Sequence, residues 1–265
     1  MTLRIVKHLF TSFKDFYKDE GIFLSAALAY FSILSLIPLT VFIVNILLNI
    51  TQEEKIILFV YGKIISFFPS VELQMIKELK KILSSKEVSS LSLILYGFFS
   101  LQLFTAIEFS LNKIFKTVKK RNFIMSILIS FVVILFIIAS VVASFTFTYI
   151  GKIINPFKIY EIDQIIRYFL KYVLPFILMF IIIGFLYKFL PNKKLNFIPI
   201  LIGSLLTTTL IEVAKHVFTF YILKIIKIST LYGSISTFLI LLMWLFYGWA
   251  VFLYGAEMIK NLSQK

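Results

Sequence analysis

The sequence predicts an all-α, polytopic membrane helix bundle with about six transmembrane helices and additional amphipathic helices at the membrane interface. Composition gives the first reason: 60% of the 265 residues are hydrophobic and 15% are charged, whereas soluble domains carry roughly 25% charged residues. The second reason is the segment Phe123–Ile150, which contains no Asp, Glu, Lys, Arg or His. About 20 helical residues cross the hydrocarbon core, so this segment spans it with length left for tilt.

Six long apolar stretches predict the spans. Lipid offers the backbone no hydrogen-bond partners, so each stretch is expected to be a helix. A barrel would instead show short segments of alternating polarity. We interpret residues 1–265 as a single membrane domain. The predicted spans are Gly21–Ile50, Val88–Ser110, Phe123–Ile150, Tyr172–Leu190, Phe197–Phe220 and Ile235–Ile259.

Amphipathic segments lie outside these spans. Residues 1–20 predict a basic amphipathic helix, with apolar side chains on one side and Lys and Arg on the other. Residues 51–87 predict a non-cytoplasmic loop with two more such helices, the first beginning at the capping-box pattern Thr51-x-x-Glu54. Two roles are open for these helices: packing against the edge of the bundle, or binding the lipid surface.

The distribution of basic residues predicts the orientation. The net charge is +14, and short loops rich in Lys and Arg stay on the cytoplasmic side. The loop Asn112–Asn122 is basic without any acid, whereas residues 51–87 nearly balance Lys against Glu. We therefore expect both termini in the cytoplasm. The basic residues of the loop are also the predicted contacts for anionic lipid headgroups; they are Lys113, Lys116, Lys119, Lys120 and Arg121.

Several classes of function are disfavoured. The basic loops carry no nucleic-acid-binding fold, so membrane lipids rather than nucleic acids are the expected partners. The absence of cysteine excludes a thiolate metal site and a Cys nucleophile. His8 and His216 lie too far apart to build a His-rich metal centre, and common enzyme motifs such as GxSxG and HExxH are missing. We expect no enzyme activity, no metal and no cofactor.

The fifth span holds the first candidates for a substrate or ion pathway. Ionisable groups inside a span are costly and are functional candidates by default. Glu212, Lys215 and His216 are three and four residues apart and share one face of a helix. They could form a proton relay, an ion-coupling site or an anchor for a polar headgroup. The alternative is an internal ion pair, with Lys215 extending toward the interface.

Four more residues complete the pathway candidates. Glu108 and Glu257 are predicted near the cytoplasmic ends of the second and sixth spans, where a carboxylate can reach headgroups or pair with nearby lysines. Thr208 belongs to a hydroxyl-rich stretch that fits either close helix packing or the lining of a polar cavity. Pro38 interrupts the first span, and broken helices line sites in many transporters, although a simple kink is the alternative.

Several stretches together resemble the YihY/BrkB family of bacterial membrane proteins. Residues 26–39, which read AALAYFSILSLIPL, are similar to the family's ALAY…LLSLxPL opening. The later matching motifs are Glu108-x-x-x-Asn112-Lys113-Ile114-Phe115, Leu190-Pro191-Asn192-Lys193-Lys194, Ile202-Gly203-Ser204 followed by Glu212-x-x-Lys215-x-x-Phe218-x-x-Tyr221, and Leu231-Tyr232-Gly233-Ser234 followed by Met243-Trp244-Leu245 and Tyr254-Gly255-Ala256-Glu257.

The resemblance implies a multi-pass protein of the bacterial cytoplasmic membrane with about six helices and no settled activity. Members of the family are linked to serum resistance, to the export of lipopolysaccharide or other lipids, and to ion transport. Some carry an old label as ribonuclease BN. A zinc-dependent nuclease needs a cluster of His and Asp ligands around a bound water, which two distant histidines do not supply.

Two functions are predicted from these observations. The first is a transporter or a translocator of a lipid or envelope component, working through the polar groups of the fifth helix against the broken first helix. The alternative is a non-transporting membrane scaffold or envelope-assembly factor. Its surfaces would be the basic N-terminal helix and the helices within residues 51–87.

Overall fold

The computed structural model describes residues 2–35, 90–117, 121–153, 168–224 and 236–264. Every regular element in these ranges is a helix, which confirms the predicted all-helical class. A π-helical turn, Phe169–Val173, precedes the fifth α-helix. The α-helices are α1 (Thr2–Lys18), α2 (described over Gly21–Ser35), α3 (Ser90–Ile114), α4 (Phe123–Ile153), α5 (Leu174–Phe189), α6 (Phe197–Lys224) and α7 (Ser236–Ser263).

Helix length and apolarity agree with a membrane bundle. Within the described residues, three segments are long and apolar enough to cross a membrane: Ile124–Ser144 in α4, Phe197–Phe218 in α6 and Phe238–Ser263 in α7. Helices α2 and α5 contribute shorter apolar segments, and α3 has 25 residues. At 1.5 Å per residue, α3 is about 37 Å long. The remainder of the predicted first span and the predicted helices of residues 51–87 lie outside the described residues.

The helices from α3 to α7 pack in a closed ring. Each packs against the next in chain order, and α7 packs against α3. Helix α1 packs along α7, and so does α2, where Trp249 Nε1 donates a hydrogen bond to Ser32 Oγ at 2.7 Å. A continuous apolar core fills the contacts, while large apolar side chains such as Leu128 and Leu135 stay exposed on α4. An apolar outer surface is expected where the surroundings are lipid.

Proline explains the irregular start of α5. Pro175 lies in the first turn of this helix, and a proline both lacks an N–H and clashes with the carbonyl four residues earlier. The preceding turn is therefore wound wider, and the N–H of Leu174 donates to the carbonyl of Phe169, five residues back. The predicted span from Tyr172 thus begins inside a π turn, and its α-helix starts at Leu174.

Two glycines bring α6 and α7 close together. A methyl group on Gly255 would overlap the hydroxyl oxygens of Thr207 and Tyr187, and one on Gly203 would overlap the side chain of Ile259. Small residues let helix backbones approach closely in membranes. The contact places α7 against the hydroxyl-rich face of α6.

Candidate functional site

Several helix ends meet at one end of the bundle, which we call the basic end. It consists of the end of α1, the residues after α3, the loop of residues 190–196 and the last turns of α7. The backbone N–H of Asn192 donates to Asn112 Oδ1 at 2.7 Å, and Lys116 lies 3.6 Å from Asp19. The loop Asn112–Asn122, which the sequence predicts to be cytoplasmic, therefore contacts the loop of residues 190–196, and the end of α1 lies beside them.

A buried charge cluster lies inside this end, between α1 and α7. Lys260 Nζ donates to Asp19 Oδ2 at 2.7 Å and also pairs with Glu257. Glu257 precedes Lys260 by three residues, so both side chains lie on one face of α7. Glu257 is 0% exposed and Lys260 is 4% exposed. Two carboxylates thus share one buried ammonium group, and we call Asp19, Glu257 and Lys260 the carboxylate–lysine cluster.

Lys260 and Lys116 control the ionisation of Asp19. Burial disfavours the charged carboxylate, but the hydrogen bond and positive charge of Lys260, together with the charge of Lys116, outweigh it. These contacts hold the pKa of Asp19 below its usual value of 3.8. Asp19 is therefore an ionised partner of Lys260 at neutral pH.

Polar contacts continue the cluster along α1. The Asn261 amide donates to Ser12 Oγ and to Asp15 Oδ2, each at 3.0 Å. The Tyr254 hydroxyl donates to the carbonyl of Leu9 at 3.1 Å. Helix α1 therefore packs on α7 through its polar inner face, which agrees with the packing role left open for it by the sequence.

Glu108 and Arg121 form a second pair of charges. Their closest atoms, Glu108 Oε1 and Arg121 Nη1, are 3.9 Å apart, and Ser126 Oγ donates to the same carboxylate at 3.1 Å. The Arg121 guanidinium also donates to the carbonyls of residues 189, 190 and 191 at 3.4–3.5 Å. A cation is favourable there because carbonyls at a helix C-terminus carry partial negative charge.

Two of the lysines predicted to meet lipid headgroups have acidic partners. Lys113 pairs with Glu20, and Lys116 lies near Asp19. Neither lysine pairs with Glu108, which the sequence had offered as a partner. These two acids follow α1 and come from a distant part of the chain, so two cations of a loop without acids in sequence gain acidic partners in space. Lys119 and Lys120 lie outside the described residues.

The Glu212 group lies far from the basic end. Glu212 Oε2 and Lys215 Nζ are 2.5 Å apart, and His216 beside them is exposed. Glu212 comes 15 residues after the start of α6, which places it about 22 Å along the helix. The arrangement matches the internal ion pair that the sequence gave as the alternative to a relay.

Thr208 and its neighbours lie in helix contacts. Thr208 is fully buried, and its hydroxyl donates to the carbonyl of Ser204 at 2.8 Å. Thr207 Oγ1 lies 2.8 Å from the Tyr187 hydroxyl, which donates to the carbonyl of Phe252. These contacts favour packing over a polar cavity at this position. Pro38 lies outside the described residues.

Sequence reasoning found Glu257 but missed Lys260 and Asp19. The predicted sixth span ends at Ile259 and therefore does not include Lys260. Helix α7 instead continues to Ser263, which keeps Lys260 on the same face as Glu257. The signal was present as the spacing Glu257-x-x-Lys260, but nothing local indicates that Asp19 meets it.

Comparison with protein-family models identifies the family. The model for virulence factor BrkB matches residues 12–265. The chain belongs to the BrkB family. The matched range includes the whole carboxylate–lysine cluster and the Glu108–Arg121 pair, and it confirms the resemblance seen in the sequence motifs.

Relatives of this BrkB-family chain are described as UPF0761 membrane proteins. One from Chlorobium luteolum is 36% identical over 80 residues, 30% of this chain and 19% of the relative. One from Chlorobium phaeobacteroides is 28% identical over 257 residues, 94% of this chain and 56% of the relative. One from Aliivibrio salmonicida is 28% identical over 275 residues, 99% of this chain and 86% of the relative. The match thus covers about a fifth of the first relative and little more than half of the second. No solved structure matches it.

Proposed function

We propose that this integral membrane protein is a translocator of a lipid or another envelope component, and that the carboxylate–lysine cluster takes up and releases a proton during its cycle. The observation that supports this proposal is the burial of Glu257 and Lys260 in the last turns of a helix long and apolar enough to span a membrane. Charged residues inside membrane helices are rare and typically mark substrate pathways or proton relays.

The charge balance of the cluster supports proton binding. Asp19 and Glu257 carry two carboxylates, and among the described residues Lys260 supplies the only cation buried between them. The ammonium group neutralises one carboxylate, and a bound proton neutralises the other. Because an unpaired buried charge is costly, the carboxylate that the ammonium group does not neutralise favours its protonated form. The cluster therefore has two states, one with this proton and one without it. The second cation, Lys116, is 63% exposed and is screened by solvent.

The position of the cluster links proton binding to helix packing. Asp19 follows α1, whereas Glu257 and Lys260 belong to α7, which also contacts α3 and α6. Uptake or loss of the proton changes the attraction between α1 and α7, and α7 is itself part of the ring of helices. A bistable contact between packed elements is what a conformational switch needs.

We place the protein in the bacterial cytoplasmic membrane, with the basic end on the cytoplasmic side. The support is the concentration of Lys and Arg in the two loops that meet there and the tendency of such loops to remain in the cytoplasm. That the chain is not an enzyme stays a prediction.

A non-transporting scaffold or envelope-assembly factor is the second candidate. One observation favours it: the aromatic side chains Phe10, Phe13 and Tyr17 are 54–74% exposed along one face of α1. Such a face is available for a partner protein.

Reconstitution distinguishes the two functions. We would place the purified protein in vesicles and measure the movement of fluorescent lipids and of protons, with protein-free vesicles as the control. A translocator accelerates at least one of these movements. If neither exceeds the control while the protein co-purifies with one stable partner, the scaffold function is supported instead.

A further inference from the structure

A pocket of about 410 Å³ opens at the basic end, between the loop of residues 190–196 and the start of α4. Four of its lining residues are cations: Arg121, Lys188, Lys193 and Lys194. Ile129 and Phe189 contribute an apolar wall. The pocket is separate from the carboxylate–lysine cluster, since none of the three cluster residues lines it.

The positive charge of the pocket is poorly compensated. Lys188 Nζ donates to the carbonyl of Leu195 at 3.1 Å, and Lys193 Nζ donates to the carbonyl of Phe115 at 3.2 Å. These acceptors are neutral. In the described parts of the chain, no carboxylate lies within 4.0 Å of Lys188, Lys193 or Lys194. The only described acid within that distance of a pocket cation is Glu108, which lies 3.9 Å from Arg121. Holding four cations together is unfavourable unless an anion joins them.

The cations retain hydrogen-bond donors for such an anion. An ammonium group has three donors and a guanidinium group has five. Lys188 and Lys193 each use one donor on a carbonyl, and both are exposed. Arg121 is 17% exposed and is held by three carbonyls at the end of α5. Phosphate oxygens accept charge-assisted hydrogen bonds from these groups.

The apolar wall indicates that the anion carries hydrocarbon. Phe189 is 46% exposed, and its ring lies 4.3 Å from that of Phe185, which stacks on Phe136 at 3.9 Å. These rings run from the pocket along the contact between α4 and α5, two apolar helices of the bundle. A free phosphate ion has no apolar part that could contact this wall. A lipid, in contrast, presents a phosphate next to its glycerol and acyl chains.

We propose that this pocket binds the phosphate of an anionic membrane lipid. Arg121, Lys188, Lys193 and Lys194 contact the headgroup phosphate, and Phe189 and Ile129 contact the adjoining apolar part of the lipid. The proposal concerns binding, so it stands whether or not the chain moves lipid across the membrane.

Native mass spectrometry of the full chain in detergent tests the proposal. The probes are phosphatidylglycerol, phosphatidylcholine and inorganic phosphate, and the variant is Lys188→Gln/Lys194→Gln. The matched control is Lys14→Gln/Lys18→Gln, which removes the same charge from exposed positions on α1. Thermal melting establishes that each variant is folded; the exposed Lys194→Gln change alone serves if the double variant is not.

We expect phosphatidylglycerol to bind the wild type and the control at least about tenfold more tightly than phosphatidylcholine, and the double variant to lose about tenfold or more in affinity for phosphatidylglycerol. The single Lys194→Gln change should give a smaller loss. Equal binding of the two lipids, or an unchanged affinity in the folded pocket variant, overturns the proposal. Inorganic phosphate binding as tightly as phosphatidylglycerol also overturns it, because the ligand would then be water-soluble.

Discussion

Lys260 on α7 donates a hydrogen bond to Asp19, the residue that follows α1, with 2.7 Å between Nζ and Oδ2. The two residues are 241 positions apart, yet their contact fixes the first helix to the last. Because Glu257 pairs with the same lysine, the bond belongs to a buried cluster rather than to an isolated surface pair. The stability of the basic end is therefore expected to depend on it.

Replacing Lys260 with methionine should destabilise the protein strongly. The change leaves Asp19 and Glu257 without their shared cation, and removing one partner of a buried pair costs about 3–5 kcal/mol. Thermal unfolding in detergent measures the loss. Lys113→Met is the control, because the exposed Lys113–Glu20 pair is worth about 0–1 kcal/mol. Adding Glu257→Gln to Lys260→Met should restore part of the lost stability. Equal losses for Lys260→Met and Lys113→Met would contradict a stabilising role of the carboxylate–lysine cluster.

The contribution of Asp19 should depend on pH in a defined direction. Its pKa is lower in the folded protein than its usual 3.8, so the folded state favours the ionised form. Its stabilisation is thus fully present above that value and is lost as the pH falls through the folded pKa. The ionisable groups around Asp19 are the cations Lys260 and Lys116 and the carboxyl group of Glu257. The melting temperatures of wild type and Asp19→Asn should differ near neutral pH and converge below 3.8; a gap that widens on acidification is the opposite of this expectation.

Alanine substitutions at two glycines of α7 should have opposite outcomes. In Gly255→Ala the new methyl group overlaps Thr207 and Tyr187, and overpacking of this kind costs about 1–3 kcal/mol. In Gly248→Ala no described atom lies within 4 Å of the new methyl group, so higher helix propensity should leave stability unchanged or raise it by up to about 1 kcal/mol. Unfolding measurements on both variants test the close contact of α6 with α7. Similar changes in the free energy of unfolding for the two variants would show that this contact is absent.

The sequence predicted the helical class because span length follows from bilayer thickness, which requires no knowledge of packing. It did not predict which helix faces meet. The apolar residues of α6 are spread around the helix without helical periodicity, so hydrophobic periodicity does not mark its inner face. Glu212 and Lys215 were found as a pair because both lie on one helix, three residues apart. The partners of Lys113 and Lys260 come from the end of α1, and only the packed bundle brings them together.

Reporter fusions should place the basic end in the cytoplasm. Fusions after Lys120 and after Glu87 should report opposite sides of the membrane, with Lys120 cytoplasmic. The reason is the cost of moving several uncompensated cations across the membrane during insertion, compared with a nearly neutral loop. The same signal from both fusions would mean that Val88–Ser110 does not cross the membrane.

The most direct test of the proposed function compares Glu257→Gln with Glu20→Gln in proteoliposomes. Both changes replace a carboxylate with an amide, but Glu257 is fully buried in the cluster, whereas the Glu20 side chain is 59% exposed. We predict that wild type and Glu20→Gln move lipid or protons at the same rate. Glu257→Gln should fall to the level of protein-free vesicles, because an amide neither takes up nor releases a proton at this site. Movement by Glu257→Gln at the wild-type rate would contradict a role for the carboxylate–lysine cluster in transport.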